Sequence, residues 1–183
     1  MEKAIQARPI QNPIARFFTL GISSGFGLGY LPKAPGTFGS LLGIPFGLFL
    51  LQLPPWAAAL FVLVLTVISA PLVYRAGQHW GKVDCQKIVW DEVIGQGIAI
   101  LGLRRSLSLS EWWSARGQEF QVPDLTMLAV AFVAFRAFDI LKPFPARTFD
   151  ERDSGFGVIM DDVVAGLYAA LLVWILNRIT SPI

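Results

Sequence analysis

Two groups of ionisable residues stand out in an otherwise apolar chain. The first is VWDE at 89–92, where Asp91 and Glu92 sit just inside an apolar run. The second is FRAFDILKPFPARTFDERDSGFGVIMDD at 135–162. It carries four basic residues (Arg136, Lys142, Arg147, Arg152) and six acidic ones (Asp139, Asp150, Glu151, Asp153, Asp161, Asp162) in a chain only 15% charged. Carboxylates beside guanidinium and ammonium groups suit metal-assisted phosphate chemistry. They also suit a solvated loop between two membrane helices.

Each group has a functional and a structural reading. Carboxylates inside an apolar run are costly without a partner, so Asp91 and Glu92 should ligate a metal or pair with Lys or Arg. Arg136 precedes Asp139 by three residues, which puts both on one helical face. They either pair locally, or the arginine holds phosphate while the aspartate serves a metal or a reacting group. Pro143 keeps Lys142 out of a helix, so the helix ends there. Lys142 and Arg147 then emerge at headgroup level, where they hold phosphate or anionic lipid. The fork of Arg147 can bind two oxygens. Asp161 and Asp162 precede the last apolar run, where acidic residues cap helices. As a pair of oxygen donors they also suit Mg²⁺.

The elements that must position these groups are apolar. The chain has 183 residues, 54% of them hydrophobic, and a mean hydropathy of +0.57. That is too apolar for a water-soluble domain of this size, and the alternative solvent is lipid. The length suggests a single domain over 1–183. Single Cys85 allows no intrachain disulfide or thiolate cluster, and single His79 removes mechanisms needing two histidines. A net charge of +2 without a basic run gives no nucleic-acid signal. Segment 1–20 lacks a signal-peptide core and reads as interfacial or frayed.

Five apolar runs follow, at about 38–53, 56–74, 88–103, 125–141 and 163–176. Pro54 and Pro55 break the first two into a hairpin that Pro45 and Pro71 can kink, and Thr37 or Ser40 can cap its first helix. The third run is short for a crossing. Segment 104–124 reads as an interfacial piece with Trp112 and Trp113 at headgroup depth. The fold expected is all-α: a small polytopic membrane bundle of four to five transmembrane or re-entrant helices. If all five runs span, the N-terminal segment, the 75–90 loop and the 142–162 loop share one face. That face holds Arg8, Arg16, Lys33, Arg75, Lys82, Lys87, Lys142, Arg147 and Arg152, against Arg104, Arg105, Arg116 and Arg178 opposite. The positive-inside rule then makes the polar site cytoplasmic.

In their order, APGTFGSLLGIPF (34–46), IVWDEVIGQ (88–96), FRAFDILKPFPARTFD (135–150) and GFGVIMDDVVAG (155–166) resemble the phosphatidylglycerophosphatase A family. The resemblance runs from about Gly25 to Gly166, leaving 104–122 unmatched. It implies a Mg²⁺-dependent phosphatase of the bacterial inner membrane that converts phosphatidylglycerophosphate to phosphatidylglycerol. The motif positions carried over are Thr37, Asp91, Glu92, Arg136, Asp139, Lys142, Arg147, Asp150, Asp161 and Asp162. Other phosphatase chemistries lack their residues: no second histidine, no Cys-x₅-Arg, no D-x-D-x-[TV]. In the resulting scheme Asp91, Glu92, Asp161 and Asp162 supply the metal ligands. Lys142, Arg147, Arg136 and Thr37 bind the phosphate. Asp139, Asp91 and Asp162 carry the catalysis, by water attack or through an aspartyl-phosphate. The rival classes are a small transporter or ion-binding protein using the same carboxylates, and a non-catalytic lipid-headgroup scaffold.

Overall fold

The computed structural model describes residues 6–104, 113–114, 123–150 and 154–180, and every regular element among them is helical. The expected interfacial Trp112 lies outside the described residues; Trp113 is exposed.

Helix α1 spans Pro13–Ser23, with Pro13 in its first turn and the Asn12 side chain accepting from the Ile14 and Ala15 N–H groups. These are the two devices that favour a helix start, so 13–23 is ordered as an amphipathic helix. A turn then uses left-handed backbone at Gly25, Phe26 and Gly27 and closes in a short 3₁₀ segment, Leu28–Tyr30.

Helices α2 (Pro35–Gln52) and α3 (Pro55–Trp80) form the expected hairpin, with Leu53 and Pro54 extended between them. Neither Thr37 nor Ser40 caps α2. The helix begins at Pro35 after a left-handed Ala34, and the Ser40 hydroxyl donates back to the Gly36 carbonyl. Pro45 and Pro71 lie inside these helices. Helix α4 is Trp90–Leu101 and α5 is Leu125–Leu141. Helix α6 is the short Ala146–Asp150, and α7 is Gly155–Thr180.

Helices α2, α3 and α7 are each long and apolar enough to cross a membrane. The other two runs form shorter helices, and the 12 residues of α4 rise only about 18 Å. Even so, α4 does not turn back. A Cβ on Gly43 of α2 would meet the Gln96 side chain, and one on Gly47 would meet Ile100, so α2 and α4 run parallel. Below α4, Arg104 donates to the Leu50 and Leu53 carbonyls at the far end of α2, at 2.9 and 3.0 Å. The Asn177 amide on α7 reaches the Leu103 carbonyl at 3.2 Å. The chain therefore passes from one end of the bundle to the other along α4.

Helix α4 is the central post, and every residue from 93 to 100 is buried. One core joins α4, α5 and α7 through Ala99, Ile100, Ala131, Phe135, Ala165 and Val173. A second joins α3, α4 and α7 through Val73, Ile94, Ile98, Val158 and Ile159. Small residues set the spacing: a Cβ on Gly95 would lie 2.5 Å from the Phe135 ring and 2.6 Å from the Asp162 carbonyl. Such close approach is how helices pack where lipid removes most of the hydrophobic driving force. Outward-facing Leu60, Leu63, Val64, Val67 and Ile68 leave α3 apolar on its exposed side.

The last helix starts earlier than the apolar pattern predicts. It begins at Gly155 rather than near 163, with the Ser154 hydroxyl accepting from the Gly157 N–H at 3.0 Å. Asp161 and Asp162 thus lie two turns inside α7 and cap nothing. Gly155 is a packing position: a Cβ there would strike the Ala70 carbonyl of α3.

Candidate metal and phosphate site

Parallel α2, α4 and α7 bring three sequence-distant motifs to one end of the bundle. The first turn of α4 is fixed from two sides. The Val89 N–H donates to the Ser23 carbonyl at the end of α1, and the Trp90 indole donates to Ser69 of α3. Asp91 and Glu92 follow at once, in the first turn. Asp162 comes from α7, whose backbone Gly95 admits at close range. One carboxylate oxygen from each of Asp91, Glu92 and Asp162 lies within 4.8 Å of the other two.

This cluster is nearly dry: Asp91 is 6% exposed and Asp162 4%. Glu92 Oε2 and Asp162 Oδ1 are buried and have no hydrogen-bond partner among the described residues. Like charges at that separation repel by about 3 kcal/mol per pair at an effective dielectric of about 20. Three carboxylates this close, two of them with an orphaned oxygen, are costly as a charged set, and a cation among them removes that cost. A hard divalent cation takes carboxylate oxygens at about 2.0–2.6 Å, which places those ligands within about 5 Å of each other. The cluster fits that requirement in donor type, number and spread.

The roof of the cluster explains the PGTFGS motif. A Cβ on Gly36 would overlap Glu92 Oε1 and lie 3.3 Å from Arg136 Nη1, so only glycine lets α2 close over the acidic turn. Gly39 does the same over Val89. Thr37 lies between them, half-buried in the first turn of α2.

Cations stand around the carboxylates. Arg136 Nη1 lies 2.5 Å from Asp139 Oδ2, so the local i,i+3 pair forms, and the same nitrogen reaches Ser40 Oγ at 3.5 Å. The Asp139 carboxylate is close enough to act electrostatically on both Glu92 and Asp162. Helix α5 ends before Lys142, as Pro143 predicts; Lys142 itself takes left-handed rather than extended backbone, and its Nζ lies 2.7 Å from Asp161 Oδ2. Asp161 is thus placed on Lys142, apart from the three-carboxylate cluster. Arg147 is exposed on α6, and the side chain of Asp150 lies outside the described residues.

A model of the family described as Phosphatidylglycerophosphatase A matches residues 21–177, from the end of α1 to the last turns of α7. The chain belongs to the phosphatidylglycerophosphatase A family. A Haemophilus influenzae phosphatidylglycerophosphatase A is 36% identical over 169 residues, covering 89% of this chain and 93% of the relative. The Escherichia coli protein of that name is 35% identical over 160 residues, with coverages of 86% and 82%. A Bacteroides thetaiotaomicron protein, provisionally named phosphatidylinositol-3-phosphatase, is 32% identical over 162 residues, covering 86% and 92%. No solved structure matches. The family match extends beyond the sequence motifs on both sides and includes the 104–122 segment that no motif covers.

Two residues of the candidate site escape a search for charge. Gln96 is fully buried, one turn below Glu92, and neither amide atom has a partner among the described residues. Its only sequence signal is i,i+4 spacing from Glu92 inside an apolar run. Ser40, also fully buried, links Arg136 to α2.

Proposed function

We propose that the chain is a Mg²⁺-dependent phosphatase that hydrolyses phosphatidylglycerophosphate to phosphatidylglycerol and inorganic phosphate. The observation that carries this reading is the buried Asp91–Glu92–Asp162 cluster, ringed by Arg136 and Lys142, in a member of this family. Asp91, Glu92 and Asp162 would hold the Mg²⁺. When bound, it supplies Lewis-acid polarisation of the phosphoryl oxygens and a lowered pKa for an attacking water.

The chain's own residues do the rest. Lys142 and Arg136 meet the negative charge on the phosphoryl oxygens, and exposed Arg147 guides the headgroup inward. Asp161 steers Lys142, while Thr37 faces the phosphate from the first turn of α2. Asp139, held by Arg136, takes the proton of the attacking water. The water oxygen bonds to phosphorus as the phosphorus–ester oxygen bond breaks, and Asp139 returns its proton to the departing glycerol oxygen, giving phosphatidylglycerol and inorganic phosphate. The acyl chains stay in the bilayer, so only the headgroup enters a polar site in one membrane-embedded domain. The basic loops favour a cytoplasmic orientation in a bacterial inner membrane.

Phosphate release from phosphatidylglycerophosphate in detergent, with and without chelator, tests this. Release that stops on chelation and returns with Mg²⁺ is expected. No release with Mg²⁺ present would leave a transporter or headgroup scaffold as the better reading. The Bacteroides relative's name makes phosphatidylinositol 3-phosphate the comparison substrate; faster turnover of it would replace the headgroup assignment while keeping the site.

A further inference from the structure

Beside the acidic cluster, the 82–87 loop and the 28–35 segment enclose a cavity of about 510 Å³ that the phosphatase chemistry above does not use. Its wall includes Tyr30, Pro35, Lys82, Cys85, Gln86 and Lys87. The loop and the segment meet tightly, since a Cβ on Gly29 would strike the Lys87 carbonyl. Lys87 Nζ sits 5.5 Å from the Tyr30 ring centre and 5.7 Å from that of Trp80. Two aromatic faces thus flank a half-buried ammonium whose three donors have no hydrogen-bond partner among the described residues. With Lys82, the cavity wall carries two ammonium groups.

The cavity adjoins the site. Pro35 lines it, and the next residue, Gly36, contacts Glu92. Lys87 is four residues from Asp91, so their Cα atoms are at most about 14 Å apart. Asp84, on the same loop, is close enough to act electrostatically on Asp91. A headgroup with its terminal phosphate at the carboxylates has a second anionic group, the phosphodiester, one glycerol away. We propose that this cavity is a subsite for the phosphodiester of a glycerophospholipid headgroup, anchored by Lys87. The inference rests on the lipid-phosphatase reading and adds a determinant of headgroup choice.

The chain's single cysteine, Cys85, lines the cavity and reports on it directly. In the full-length protein in detergent, alkylation of Cys85 by a maleimide is expected to slow several-fold with soluble glycerophosphoglycerol, which carries only the diester. Inorganic phosphate should not slow it. Protection only in phosphatidylglycerol micelles would support the same chemistry but assign it to bulk lipid. Absence of protection in both, or equal protection by inorganic phosphate, would overturn the subsite. Lys87→Ala should abolish protection, Lys87→Arg should restore it, and unchanged protection in Lys87→Ala would also overturn it. With phosphatidylglycerophosphate, Lys87→Ala should raise KM about 10-fold or more, as loss of a charge-assisted contact does, with a smaller effect on kcat. An equal loss in kcat would mark a structural role and sink the proposal. If the wild type releases no phosphate, the catalytic reading falls while the alkylation assay still decides the subsite.

Discussion

The ammonium of Lys142 lies 2.7 Å from Asp161 Oδ2, while the next residue, Asp162, contributes its carboxylate to the cluster with Asp91 and Glu92. Successive side chains on a helix diverge by about 100°. Two identical neighbours are thereby given different surroundings, and their substitutions should differ. Asp162→Asn is expected to lower kcat/KM by about 10³-fold or more, and Asp161→Asn by about 10-fold or less. Steady-state phosphate release checks both; equal losses would place Asp161 among the metal ligands.

Removing a cluster charge should also stabilise the protein without metal. Asp162→Asn relieves repulsion with Asp91 and Glu92, so its melting temperature in chelator should exceed that of the wild type by a few degrees, at roughly 2–4 °C per kcal/mol. Adding Mg²⁺ should raise the melting temperature of the wild type and leave the variant nearly unmoved. A destabilised metal-free variant would contradict the repulsion argument.

Gln96 should act through Glu92. A fully buried amide without partners is costly, by about 1–3 kcal/mol per group, and its place one turn below Glu92 suits a donor that orients that carboxylate. Gln96→Leu is expected to weaken the Mg²⁺-dependent rise in melting temperature and to raise the Mg²⁺ concentration needed for half-maximal activity. An unchanged Mg²⁺ dependence would show that Gln96 is only a packing residue.

Arg104, at the opposite end, gives the converse case. It donates to two carbonyls that end α2. Arg104→Ala should cost about 1.5–3 kcal/mol of stability while activity per folded molecule stays near wild type. A kcat loss at full folding would mean that the far end communicates with the site.

How much of this was legible depended on how local each signal was. The end of α5 at Lys142 follows from one proline, and the α2–α3 hairpin from two. The start of α7 was hidden because the apolar run that marks the helix begins only near 163, behind two glycines and the acidic pair. Only contact with Ala70 and Tyr74 of α3 explains a glycine inside that helix. That misplaced start also concealed the separation of Asp161 from Asp162, since divergence applies only once both lie within a helix. Gln96 carries no charge, and its burial exists only in the folded bundle. The pairing of Arg136 with Asp139, an i,i+3 matter, could be read directly, but Ser40 joining that pair from 96 residues away could not.

The parallel run of α2 and α4 has an electrical consequence. Each helix N-terminus carries the equivalent of about half a positive charge, and here two of them open at the same end, beside the acidic turn. Under the proposed function, an incoming phosphate would meet this backbone attraction as well as Lys142 and Arg136. A site built on three carboxylates can in this way still attract an anion.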